Sequence, residues 1–134
     1  MMPEEELIKR TIELPFGVAS LRSDDVLTFK PIDSKTISVA ELQQMLDAFC
    51  EITDGERKKY LSDNREYEFF GFAERKFIGN HLHEFALAAA IIENNPVIRF
   101  IGHTINSFFT PKVPMQMFKS EEEALEWLKS GDFQ

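Results

Sequence analysis

A single cysteine, Cys50, leaves the chain without a disulfide framework and without a thiolate zinc site. The longest apolar run, Phe85 to Ile92, is too short to span a bilayer, so no membrane insertion is expected, and it is long enough for a buried strand. Positive charge is scarce. Fifteen Lys and Arg stand against 23 Asp and Glu, a formal net charge of −8, so the surface lacks the cationic field that nucleic acid or an anionic membrane requires. The one basic cluster, Arg57-Lys58-Lys59, is read as a solvated strand edge. The six glycines form no phosphate-binding loop, and neither a nucleophile elbow nor a zincin pattern occurs, so neither enzyme chemistry nor a cofactor is expected. Met1 to Arg10 is acidic and has no apolar core of the kind a signal peptide needs, which points to the cytoplasm.

What the chain does have is a patterned second half. The Phe85 to Ile92 run reads as a strand, and Asn94-Asn95-Pro96 starts a helix, proline being suited to the first helical position. From there Val97, Ile98, Ile101, Ile105, Phe108 and Phe109 share one stripe, with Arg99, Gly102, His103 and Asn106 opposite. Phe100 falls outside the stripe, beside His103 and Ser107. Pro111 and Pro114 end the helix, Met115 to Phe118 is a short strand, and Ser120 with Glu123 forms a capping box. Ala124, Leu125 and Leu128 form the inner face of the last helix, which Gly131 closes.

Earlier in the chain, Thr11 to Arg22 carries apolar residues on even positions up to Val18 and on odd positions from Ala19. Within one strand such a switch needs an extra residue, so a bulge or break is expected near Pro15-Gly17. Ser23-Asp24-Asp25 is a turn and Val26 to Pro31 a second strand, completing a hairpin. Ser38 and Glu41 make another capping box, opening a helix that buries Leu42, Met45, Leu46, Phe49 and Ile52 and ends at Gly55. Cys50, at the edge of that stripe, is expected to be a small buried hydrophobe. Arg57 to Ser62 is the next strand, Ala73 to Gly79 a short helix, and Gly79-Asn80 a loop. Strands alternating with helices imply a single α/β domain over residues 1–134, frayed over 1–10, with a mostly parallel sheet, an antiparallel hairpin edge and helices mainly on one face.

That order, with Ala88-Ala89-Ala90-Ile91-Ile92, the Pro96 to Phe109 helix, Pro111-Lys112-Val113-Pro114 and the Phe118 to Leu128 segment, resembles small bacterial proteins with the STAS fold, similar to anti-sigma-factor antagonists. The resemblance implies a Ser or Thr phosphoacceptor at the start of the second helix. That place falls near Phe70-Gly71-Phe72, where no hydroxyl stands, and Ser62 comes too early, so the phosphoswitch is not carried over. The site itself is now aromatic.

Tyr67, Phe69, Phe70 and Phe72 crowd into the stretch Asp63 to Phe72, and one loop or first helical turn cannot bury every ring. They are the candidate binding residues, with Phe100 and His103. Two roles are open to them. One is a regulatory interaction module that meets a protein partner, or itself as a homodimer, through the aromatic loop and an uncovered sheet face. The other is a carrier or sensor of a hydrophobic small molecule or lipid, held in a cavity between Phe72, Phe77, Phe100 and the last helix. His81 and His83, beside Glu84, are the one cluster with metal-ligand residue types, and further donors are missing nearby, so surface histidines in a loop are expected. His103 has no nucleophile or orienting carboxylate to work with and reads as an exposed side chain.

Overall fold

The computed structural model describes residues 8–32, 37–63, 65, 72–97 and 113–131, except the side chains of Phe72 and Arg75. In chain order the elements are β1 (Ile8–Leu14), β2 (Gly17–Arg22), β3 (Val26–Pro31), α1 (Val39–Thr53), β4 (Lys58–Asp63), α2 (Phe72–Phe85), β5 (Ala86–Ile92), β6 (Met115–Phe118) and α3 (Glu121–Ser130). The strands form one six-stranded sheet in sequence order. β1, β2 and β3 run antiparallel, and β3 to β6 are parallel. This is the mixed α/β sheet expected, with one more strand. The parity switch near Pro15 marks a chain reversal and not a bulge. Leu14 pairs with Gly17 across a two-residue turn, so Ile12 lies opposite Ala19, and even positions before the turn share a face with odd positions after it.

α1 forms as its sequence dictates. Ser38 Oγ accepts from the Glu41 N–H at 3.1 Å and the Glu41 carboxylate accepts from the Ser38 N–H at 3.0 Å, which closes both halves of the capping box. At the other end Asp54 adopts the left-handed conformation (φ 54°) and Gly55 follows at φ 81°, its N–H donating to Cys50 O at 3.0 Å. Leu42, Met45, Leu46, Phe49 and Ile52 are all buried. Cys50 is exposed, contrary to expectation, because the helix turns position 50 past the apolar stripe and toward solvent.

α2 is longer than the sequence suggests. It runs through Gly79 and Asn80, read above as a loop, because Leu82 and Phe85 are buried and Phe77 and Ile78 pack beside them. A mid-helix glycine costs only about 1 kcal/mol, which this packing outweighs. β4 is central and not an edge: it lies between β3 and β5. The cations at its start are engaged. The Arg57 guanidinium donates to Ala86 O at 3.0 Å, where the β4–β5 register shifts, and Lys58 Nζ lies 3.2 Å from Glu56.

The sheet divides the core in two. On one face Leu27, Phe29, Tyr60, Ala89 and Ile91 pack with α1 and α2. On the other, Val26, Leu61, Ala88, Ala90 and Ile92 pack with Ala124 and Leu128 of α3. Strands added in one direction through right-handed crossovers must keep their connecting helices on one face. α3 follows the last strand, is no crossover, and is free to take the other face. The face expected to lie open is therefore covered in part by the chain's own helix. Phe77 belongs to the first face and α3 to the second, so the sheet stands between two of the elements expected to line one cavity with Phe72 and Phe100, whose side chains lie outside the described residues. Val97, placed on the inner stripe of its helix, is 63% exposed in the first turn after Pro96.

Tyr60 sits at the centre of the first face, its ring 5.5 Å from Phe49 and 5.1 Å from Phe85. Burial pushes its hydroxyl up to about 12, and a hydrogen bond with Ser62 pulls weakly the other way. The unfolded tyrosine ionises near 10, so the folded state holds the proton longer. Its contribution to stability is therefore complete below pH 10 and is lost as pH rises toward 12. Urea unfolding at pH 8 and pH 11 checks this: the wild type should lose about 1.4 kcal/mol more than Tyr60→Phe over that interval. Equal losses in both proteins would mean that the phenol reaches water.

Candidate functional site

In a sheet whose parallel strands are joined by helices, the loops that leave the carboxyl ends of the strands gather on one edge, where such folds place their sites. Here β4 and β5 are neighbours, and Asp63, the last residue of β4, pairs in register with Ile92, the last of β5. Each strand ends in a side-chain-stabilised turn. Asp63 accepts from the Arg65 backbone N–H at 3.1 Å, while the Arg65 guanidinium returns to the same carboxylate through two bonds of 2.8 and 2.6 Å. Two parallel N–H donors on one carboxylate give a charge-assisted fork that fixes direction as well as distance. Burial pushes the Asp63 carboxyl up, but the Arg65 bonds, with the charges of Arg65 and Lys30, outweigh it and hold it below the usual carboxylate range.

After β5 the Glu93 N–H donates to Phe118 O at 2.8 Å and prolongs the pairing with β6 by one residue. The Glu93 carboxylate then accepts from the Asn95 N–H at 3.1 Å, and Asn95 Oδ1 accepts from the Val97 N–H at 2.9 Å, so helical backbone begins at Pro96 as the Asn-Asn-Pro motif predicts. The Asp63–Arg65 fork was not anticipated. An Asp directly after a strand, with Arg two residues on, carries the signal of an Asx turn and could have marked it.

Tyr67, Phe69 and Phe70 fall between β4 and α2 in sequence, and they lie outside the described residues, as do Phe100 and His103. Phe72 is the first residue of α2. His81 and His83 are on α2 and not in a loop. Two positions apart on a helix they point about 200° from one another, so they do not present one chelating pair. His81 instead hydrogen-bonds through Nδ1 to Glu84, one turn on, and its ring stacks on Phe77 at 4.3 Å. No group of three His, Cys, Asp or Glu among the described residues is placed to hold a metal ion.

One shallow groove is formed by described residues, between α1 and α2, lined by Leu46, Cys50, Thr53, Glu84 and Phe85. Its volume of about 200 Å³ is below the roughly 300 Å³ from which small-molecule pockets begin. No helix among the described residues is long and apolar enough to cross a membrane.

A six-stranded sheet with an antiparallel start, a parallel remainder and helices on both faces defines the class: this is a single α/β domain with the SpoIIAA-like form of the STAS fold. The crystal structure of an uncharacterized protein from the DUF3478 family with that fold, from Shewanella loihica PV-4, is similar over 90% of this chain and 99% of its own, with a TM-score of 0.63 and 20% sequence identity. The chain belongs to the family described as Domain of unknown function (DUF7793), whose model matches residues 20–131. Comparison with curated proteins gave no match.

Proposed function

We propose that this domain is a non-catalytic, cytoplasmic regulatory module that engages a protein partner through the segment between β4 and α2. The observation that carries the reading is the Asp63–Arg65 fork. It fixes Arg65 at the carboxyl edge of a central strand, and in sequence Tyr67, Phe69, Phe70 and Phe72 follow directly. Aromatic side chains offer large contact area at small conformational cost and are enriched where proteins meet. In the likeness to antagonist domains this is also where partner recognition would be switched. With no hydroxyl at Phe70-Gly71-Phe72, recognition by shape and apolar contact takes the place of a phosphate.

The ionisable groups shifted among the described residues fit a binding module better than an enzyme. Asp63 is held by a neighbouring cation, Asp25 likewise by Lys9, and Tyr60 is enclosed by core rings. Each is engaged structurally, the two carboxylates in ion pairs and the phenol in a ring cluster.

The Tyr67→Ser/Phe70→Ser double variant tests the proposal. Affinity capture with wild type and variant side by side should retain a protein on the wild type that the variant loses, while the variant melts within about 3 °C of wild type, as surface substitutions do. A fall in melting temperature of about 10 °C or more would place those rings in the core and remove the binding surface.

A further inference from the structure

We draw no further inference here: the strongest candidate, the shallow groove between α1 and α2 where the exposed Cys50 stands beside Leu46 and Phe85, carries none, because its thiol stands alone and nothing in the structure shows what covers the groove.

Discussion

Phe49→Ala should lower the free energy of unfolding by about 3–5 kcal/mol, the range for truncating a buried phenylalanine. Phe49 is fully buried and its ring meets three others: Phe29 at 6.4 Å, Tyr60 at 5.5 Å and Phe85 at 5.1 Å. Those rings come from β3, β4 and the end of α2, so the side chain of one helix ties together two strands and the second helix. None of the three can collapse into the space without leaving its own neighbours, which favours the upper part of the range. Domains of this kind are stable by only about 5–15 kcal/mol, so a third or more of the total is at stake. Urea unfolding gives the number. Followed by both circular dichroism and the fluorescence of Trp127, it also asks whether the two faces of the sheet melt together. Trp127 packs on Phe118 at 5.6 Å on the face opposite Phe49. β5 contributes Ala89 and Ile91 to one face and Ala88, Ala90 and Ile92 to the other, so the two signals should coincide. A loss below about 1 kcal/mol would mean the ring cluster repacks freely, and separate midpoints would mean that the faces fold independently.

Where local rules act alone, the sequence is easy to read. The Ser38–Glu41 box, the inner face of α1, the β5 run and the β6–α3 junction all depend on residues within one turn or one strand of each other. Ser120 accepts from the Glu123 N–H at 3.2 Å, and Ala124 and Leu128 are buried as their spacing requires. Reading fails where two arrangements produce the same local pattern. The parity switch at Pro15 to Gly17 fits a bulge within one strand and a two-residue reversal between two strands equally well, and only the pairing of β1 with β2 decides. Gly79-Asn80 carries a loop signal, yet Phe77, Ile78, Leu82 and Phe85 repeat at helical spacing, and the burial of Leu82 and Phe85 with the packing of the other two prevails over propensity. Arg57-Lys58-Lys59 looks like an edge because charge favours edges. It tolerates a central strand because Ala86 O and Glu56 receive its donors. The site follows the same division. Its described part, Asp63 with Arg65, is a local turn, whereas the roles proposed for Tyr67, Phe69, Phe70, Phe72, Phe100 and His103 would depend on a partner and so on nothing local to the chain.

Gly17→Ala should destabilise the protein by about 2–3 kcal/mol, the upper part of the overpacking range, although replacing glycine in a strand ordinarily helps. The ordinary gain, about 0.4–1 kcal/mol from a less flexible unfolded chain, requires that the added methyl find room. Here it does not. A Cβ on Gly17 would fall against the edge of the Phe29 ring, 2.7 Å from Cε1, and 2.8 Å from the Lys30 carbonyl oxygen. The ring cannot step aside cheaply, being held between Phe16 at 5.6 Å and Phe49 at 6.4 Å, and the carbonyl belongs to the backbone of the neighbouring strand, where Gly17 lies opposite Pro31. Gly17 is thus required by space, so that the edge of Phe29 can sit against the start of β2 while its ring reaches the cluster around Phe49. A double-mutant cycle separates the two obstructions. In a Phe29→Leu background the ring edge is gone and Gly17→Ala should cost about 1 kcal/mol less than in wild type, with the carbonyl contact keeping the cost above zero. Equal costs in both backgrounds would assign the whole penalty to the strand backbone. A neutral or stabilising Gly17→Ala would show that β2 and β3 separate easily at this corner, and that the Phe16–Phe29–Phe49 stack is looser than its distances imply.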